Sequence, residues 1–259
     1  MTIRVAVCGA NGRMGTLILD EIKKSGDLEL VAGFDVAGER KALCGGVTVS
    51  HASKLPEVLA KVKPDVLIDF TTASAATENV CIAAASGVNL VVGTTGFSEA
   101  QLKMMHNAIA DGKVAAVISP NYSLGVNLFW RLLAVAAEVL QDYDVEIIEA
   151  HHNQKKDAPS GTALAALEVL KSALGKDEVV YGRKGLVLRG KEIGVHAVRA
   201  GDIVGDHTIL FAGPGERLEI RHQAHSRAAF ATGAVKATGW VANARPGVYT
   251  MADVLNEQA

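Results

Sequence analysis

Two adjacent histidines, His151 and His152, are followed closely by Lys155, Lys156 and Asp157, and then, after Pro159, by the small residues Ser160, Gly161 and Thr162. Imidazole titrates at about pH 6.5 and exchanges protons at working pH, whereas lysine supplies a fixed positive charge or a proton. Ser160, Gly161 and Thr162 would present N–H and hydroxyl donors at a helix N-terminus, a seat for a carboxylate. The set reads as an anionic-substrate site with a proton donor. The plainer account is a solvated basic loop, with Ser160 or Thr162 capping the helix that follows. The gathering of acid–base groups, cations and anion donors in one short connection favours chemistry.

A second stretch, "VAVCGANGRMGTLILDEIKKSG", places Gly9, Gly12 and Gly15 where a strand gives way to an amphipathic helix. Glycines there permit a tight turn and close approach of backbone to a pyrophosphate, which the helix N-terminus attracts. The spacing is GxxGxxG, because Asn11 stands where the usual fingerprint has its middle glycine. Asp35 ends the next strand, the customary place for an acid that binds the adenosine ribose. The turn residues Gly9, Ala10, Asn11, Gly12, Arg13 and Met14, with Asp35, are therefore assigned to a dinucleotide. "VVGTTGF" and "ISPNYS" follow later strands, and loops at strand carboxyl ends line the ligand crevice. Gly93, Thr94, Thr95, Ser119, Pro120, Asn121 and Tyr122 are accordingly candidates for the nicotinamide side. A nicotinamide domain beside the histidine–lysine loop predicts reduction of a small carboxylated molecule.

The elements that must position these residues alternate. "IRVAVC", "LELVAGF", "DVLIDF", "VNLVVG" and "VAAVIS" read as strands separated by helical patterns, the arrangement of a parallel sheet with helical crossovers. "DVEIIEAHH" reads as a strand and "TALAALEVLKSAL" as a helix, which makes the histidine–lysine stretch a strand-to-helix connection. Past residue 175 the texture changes to β-type runs, "IGVHAVRAG", "HTILFAG" and "RLEIRHQ", the mark of a second domain. The stretch "RAAFATGAVKATGWVANA" is helical again and is expected to pack back on the first domain.

Composition removes several classes. The 259 residues are 49% hydrophobic with a formal net charge of −2, which argues against disorder and against a general pull towards nucleic acid or anionic lipid. The start, "MTIRVAVCG", enters a strand directly, with no signal-peptide pattern, and the most apolar stretch, "NLFWRLLAVAAEVL", is broken by Arg131 and Glu138 and reads as a core helix rather than a membrane span. Cys8, Cys44 and Cys81 are far apart and lack metal spacing, as expected of a reducing cytoplasm. "GLVLRGKE" copies the phosphate-loop spacing, but Glu192 replaces the magnesium-binding hydroxyl. "NYS" is a glycosylation sequon only formally. His196, His207, His222 and His225 lie on β-type segments without ligand spacing, so no metal is expected. A short-chain dehydrogenase needs tyrosine and lysine four apart, and none of the four tyrosines has that lysine. A nicotinamide-sensing regulator needs a basic helix pair for DNA, which the strand-rich second half does not offer.

"VAVCGANGRMG", "DVLIDFT", "VVGTTGF", "PNYSLGVN", "EIIEAHHNQKKDAPSGTA", "RAGDIVGDHTILFAGPGERLEI" and "SRAAFATGAV" together carry a resemblance to the bacterial 4-hydroxy-tetrahydrodipicolinate reductase family, also called dihydrodipicolinate reductases, over essentially the whole chain. The block His151–Thr162 is its most specific part. The resemblance implies an α/β fold: a discontinuous Rossmann-type parallel-sheet domain, residues 1–122 and 232–259, and a mixed α+β domain, residues 123–231, that binds substrate and builds a homotetramer. It implies NAD(P)H-dependent reduction of a cyclic dicarboxylate in lysine and diaminopimelate biosynthesis, with His151 as acid–base residue and Lys155 as proton donor. His152, Gly161 and Thr162 would then hold substrate carboxylates and Ser160 support the turn. Asn153 and Gln154 depart from the basic or other polar residues of many relatives. Relatives that use both cofactors often place an arginine after the ribose-binding acid. Here Val36 follows Asp35, and repulsion of a 2′-phosphate without an adjacent cation predicts NADH in preference to NADPH. Arg40 and Lys41 further along, and Arg13 in the glycine turn, are the cations that could reach a 2′-phosphate, so NADPH is expected to be usable at higher concentration.

Overall fold

In the computed structural model, which describes residues 2–256, the chain divides into two units, Met1–Leu124 with Ala228–Ala259, and Gly125–Arg227.

The first unit alternates strands and helices: β1 (Ile3–Cys8), α1 (Arg13–Lys24), β2 (Leu28–Asp35), β3 (Val49–His51), α2 (Leu55–Val62), β4 (Val66–Asp69), α3 (Ala73–Ala85), β5 (Asn89–Val92), α4 (Glu99–Gly112) and β6 (Ala115–Ile118). Strands β4 and β5 are short apolar runs because parallel strands covered on both faces need no polar alternation. Along β1, Val5 and Val7 enter one core, with Ile18 and Ile22 of α1, while Ala6 and Cys8 enter another, with Leu55 and Leu59 of α2 and Met105 and Ile109 of α4. That division is the period of two of an extended strand.

The second unit begins within α5 (Leu124–Val139) and continues through β7 (Asp144–His151), α6 (Gly161–Leu174), β8 (Val179–Tyr181), β9 (Ile193–Arg199), β10 (Gly205–Gly213) and β11 (Glu216–Ala224). Its sheet runs β11-β10-β7-β9-β8, with β7 antiparallel to β10 and parallel to β9. Helices α5 and α6 bury Phe129, Leu133, Ala166 and Leu170 against Val145, Ile147, Ile209 and Phe211. The expectation of a core helix at α5 holds for one face only. Leu128, Leu132, Val135 and Val139, on its other face, are exposed.

The chain then returns to the first unit as α7 (Ala228–Val241), β12 (Gly247–Tyr249) and α8 (Met251–Asn256). Ala231, Ala234 and Ala237 of α7 join the core beneath β1, and Gly233 meets backbone, since a Cβ there would stand 1.7 Å from the Tyr122 carbonyl oxygen. The completed parallel sheet runs β12-β6-β5-β4-β1-β2-β3. Strand order reverses between β1 and β4, and ligands of such sheets bind at that switch point, outside the carboxyl ends of the strands. Among the described residues, no helix is long and apolar enough to cross a membrane.

Candidate active site

The glycine turn closes the carboxyl end of β1. Gly9 has φ of +77°, and Gly12 donates its N–H to the Gly9 carbonyl at 2.9 Å. Gly15, inside α1, faces the same carbonyl, and a Cβ there would lie 2.0 Å from its oxygen. Glycine is what allows α1 to start against the turn. No side chain caps α1 at Gly12, so its first N–H groups and the positive end of its dipole are left for an anion, which fits a pyrophosphate.

Asn11 explains its own departure from the glycine fingerprint. Its side-chain amide donates to the Ala37 carbonyl at 2.6 Å, and its backbone N–H donates to Asp35 Oδ2 at 2.9 Å. The asparagine thus clamps the turn to the loop after β2. Gly38 leaves the room for it, with φ of +74° and a notional Cβ 2.6 Å from Asn11 Nδ2. Gly9, Gly12 and Asp35 line an open cavity of about 650 Å³ with Phe34, Thr71 and Ile82, a size suited to a nucleoside.

Beside it, Asp69 at the end of β4 is fully buried and accepts four hydrogen bonds. The donors are the Thr71 N–H (3.0 Å) and hydroxyl (2.7 Å), the Asn79 amide (2.7 Å) and the Thr94 hydroxyl (3.1 Å). Burial pushes its carboxyl up in spite of those donors. Phe70 packs directly beneath Gly93, where a Cβ would come within 2.1 Å of the ring. After β6, Ser119 donates to the Asn121 carbonyl at 3.0 Å, and Asn121 Oδ1 accepts the Ser123 N–H at 2.9 Å.

In the second unit, β7 carries Glu149 and His151 on the face that also buries Val145 and Ile147. Glu149 Oε2 lies 2.6 Å from His151 Nδ1, while its Oε1 accepts the Ser160 N–H at 3.0 Å. Arg199 of β9 donates to both carboxylate oxygens at 2.8 Å. Burial alone would raise the Glu149 carboxyl; Arg199, then His151 and Ser160, outweigh it and hold the group below the ordinary range. For His151, burial lowers the pKa and Glu149 offsets only part of the effect. Ser160 is the N-cap of α6, its hydroxyl accepting the Ala163 N–H at 3.2 Å and standing 3.0 Å from His207 Nε2. Gly161 and Thr162 form the first turn of α6. Lys155 pairs with Asp157 at 2.9 Å, His152 is half-buried, and Lys156 is exposed. Among the described residues, no cluster of His, Cys, Asp and Glu could hold a metal ion.

Sequence models of the N-terminus and the C-terminus of dihydrodipicolinate reductase match residues 3–122 and 125–255. The chain belongs to the dihydrodipicolinate reductase family. It is 56% identical to the 4-hydroxy-tetrahydrodipicolinate reductase of Methanosarcina barkeri, over 98% of this chain and 99% of that protein. It is 50% identical to the reductase of the same description from Methanocaldococcus jannaschii, over 98% and 97%. The dipicolinate-bound dihydrodipicolinate reductase from Paenisporosarcina sp. TG-14 superposes with a TM-score of 0.83 at 29% identity, over 96% of this chain and 98% of that one. An amine dehydrogenase from Mycobacterium smegmatis shares the fold, with a TM-score of 0.63 at 16% identity and coverage of 97% and 96%.

Within this reductase fold, three side chains assigned to the cofactor point elsewhere. Tyr122 is buried beside Phe70, its hydroxyl 2.8 Å from the Val117 carbonyl and 3.0 Å from that of Val92, so it is a core residue. Thr94 turns its hydroxyl to Asp69, and Met14 packs on the core beneath β1. These inward contacts have one physical consequence: the side chains anchor the loops that the sequence reading assigned to the cofactor. Ala10 is buried, with its N–H on the Phe34 carbonyl at 3.0 Å, whereas Arg13 and Thr95 are exposed and Pro120 is exposed beside the buried Ser119.

Sequence reasoning passed over Glu149 and Arg199 and weighed His207 only as a metal ligand. Glu149 had a signal, since two residues before a histidine on a strand is the same face. His207, directly opposite Glu149 on β10, is buried, and burial pushes its pKa down to about 4. Burial thus favours the neutral ring, whose Nε2 shares a hydrogen bond with the Ser160 hydroxyl. Its ordinary value is 6.5, so on lowering the pH the unfolded chain takes up this proton first. The stability it contributes is complete above pH 6.5 and is lost as pH falls towards 4, on the order of 3 kcal/mol in all. Urea melts at pH 7, 5.5 and 4.5 should therefore show a shallower acid loss in His207→Gln than in the wild type. Equal slopes would remove His207 from the acid transition.

Proposed function

We propose that the chain catalyses the NAD(P)H-dependent reduction of 4-hydroxy-tetrahydrodipicolinate to tetrahydrodipicolinate, in lysine and diaminopimelate biosynthesis. The observation that carries this reading is the strand-to-helix connection in which a buried His151, a Lys155 whose charge acts on it and the N-terminus of α6 occur together. Family membership and the 56% identity to a curated reductase support the same reaction.

Bound reduced nicotinamide supplies the hydride, and this chain's residues do the rest. The glycine turn and α1 hold the pyrophosphate, and Asp35 takes the ribose. The N–H groups of Gly161 and Thr162, with His152, hold substrate carboxylates, while Ser160 keeps the start of α6 in place. Electrons entering the ring run towards its nitrogen, so a cation and a proton donor at that end stabilise charge where it develops. Lys155 is that donor and His151 the acid–base partner.

The cofactor is NADH in preference to NADPH. Asp35 stands at the cavity with both oxygens turned to backbone N–H groups, of Asn11 and, at 3.3 Å, of Ala37, and the next residue is the exposed, uncharged Val36. Glu39 is paired with Lys54, which ties up one neighbouring cation. The test is oxidation of each reduced nicotinamide at low salt, with substrate made in situ from pyruvate and aspartate semialdehyde by the preceding enzyme. Turnover with neither cofactor removes the proposed reaction. Val36→Arg should move the ratio of kcat/KM towards NADPH by about tenfold or more, the value of one charge-assisted contact to a phosphate. A wild-type preference for NADPH would reverse the assignment.

The enzyme assembles as a homotetramer in the cytoplasm. Ile148 and Leu210 on the sheet face opposite α5 and α6, and Leu186, Val187 and Leu188 on an exposed loop, support self-association, and the three free cysteines suit a reducing compartment.

A further inference from the structure

Glu149 is the most buried ionised group in the second unit, and nothing in the reaction as derived uses it. Its side chain has no exposure, yet it accepts four donors, two on each oxygen. Oε2 takes His151 and one Arg199 nitrogen; Oε1 takes the Ser160 N–H and the other. A carboxylate in that position is tolerated only because each lone pair is met and Arg199 balances the charge. The same carboxylate therefore joins three elements that carry the site: β7 through His151, β9 through Arg199 and the start of α6 through Ser160.

The contact with His151 has a chemical consequence. An ionised carboxylate can only accept, so the proton of that bond resides on His151 Nδ1. This leaves Nε2 as the ring's exchangeable position. Nε2 is directed towards Gly205 of β10, where a side chain would intrude, since a Cβ would lie 3.0 Å from it. Glycine keeps that side of the ring clear.

We propose that Glu149, neutralised by Arg199, is the positioning residue of the acid–base step: it fixes the tautomer and direction of His151 and registers His151 against the carboxylate-binding start of α6. The inference rests on His151 being the acid–base residue. The charged or titratable groups that face His151 are Glu149 from its own strand, Arg199 from β9, His207 from β10 and Lys155 from the following loop. Of these only Glu149 favours the imidazolium. Removing its charge lowers the His151 pKa, and the limb of the pH profile belonging to that group moves to lower pH.

Glutamine preserves the shape of Glu149 but turns one of its two acceptor oxygens into a donor, so either His151 and one Arg199 nitrogen or the Ser160 N–H and the other Arg199 nitrogen lose their acceptor. In the full-length enzyme, Glu149→Gln is expected to lower kcat by about a hundredfold with the cofactor Kd unchanged. The His151 limb of kcat/KM should move down by about one pH unit, and the ¹⁵N imidazole shifts of His151 should depart from the Nδ1–H pattern. The single variant leaves Arg199 buried without its partner, so Glu149→Gln/Arg199→Met is measured beside it. Replacing both partners restores the melting temperature but not kcat if the role is positioning. Recovery of both would reduce the pair to a structural ion pair and overturn the proposal. A slowed His151→Gln beside a Glu149→Gln with wild-type rate, pH profile and tautomer would overturn it too, leaving the acid–base assignment intact. A wild-type rate in His151→Gln would instead remove that assignment, and this inference with it.

Discussion

Lys155→Ala should lower kcat by about 10²–10⁴-fold, the usual contribution of a positioned proton donor, and leave the cofactor Kd as it is. The separation of effects follows from the fold. Lys155 lies on the connection between β7 and α6, in the second unit, whereas the glycine turn belongs to the first. Its ammonium is held by Asp157 at 2.9 Å with the side chain only 21% exposed, and its charge acts on His151. Lys156, the next residue, is exposed and serves as the control. Steady-state kinetics with both variants decide the matter, since a simple basic patch would respond equally to loss of either lysine. A comparable loss in Lys156→Ala would reduce the loop to that patch and withdraw the proton-donor role.

Gly15→Ala should weaken cofactor binding by at least about a hundredfold and destabilise the first unit. A Cβ at that position would lie 2.0 Å from the Gly9 oxygen, 2.8 Å from its carbonyl carbon and 2.9 Å from the Ala10 Cα. All three are backbone atoms of the turn itself, so no side-chain rearrangement can relieve the clash. The helix must draw back from the turn, which moves the N–H donors away from the pyrophosphate. Overpacking of this kind costs about 1–3 kcal/mol or more, which for a chain of this size lowers Tm by roughly 3–10 °C. Gly26→Ala is the matched control, because a Cβ there would meet nothing within 4 Å. Fluorescence titration with reduced nicotinamide, together with thermal melts, tests both. Wild-type affinity in Gly15→Ala would show that the turn is not the cofactor's seat.

Much of the site was legible because its parts are close in sequence. The glycines that face one another across the turn lie within seven residues, and the pattern of turn followed by helix is local chemistry. The same holds for Ser160, Gly161 and Thr162, where a capping residue and a helical repeat mark the start of α6 without reference to the rest of the chain. The alternation of apolar strands and helices announced a parallel sheet for the same reason: strands covered on both faces must be apolar throughout. The direction of the Tyr122 side chain was not legible in the sequence. A tyrosine after a strand end serves a ligand or the core equally well by sequence, and the carbonyls of Val92 and Val117, supplied by two neighbouring strands, drew its hydroxyl inward.

By itself, then, the sequence determined the elements, the glycine turn, the capped start of α6 and the histidine–lysine connection that leads into it, all set by interactions over a few residues. The tertiary structure decided which distant groups serve those residues. Arg199 and Glu149 are 50 positions apart, and Ser160 and His207 are 47 apart. No period or motif relates such positions; the parallel pairing of β7 with β9 and the antiparallel pairing with β10 bring them together. The physical reason is desolvation. A carboxylate taken wholly out of water must find its donors wherever the packed sheet provides them, and only the folded sheet determines where that is.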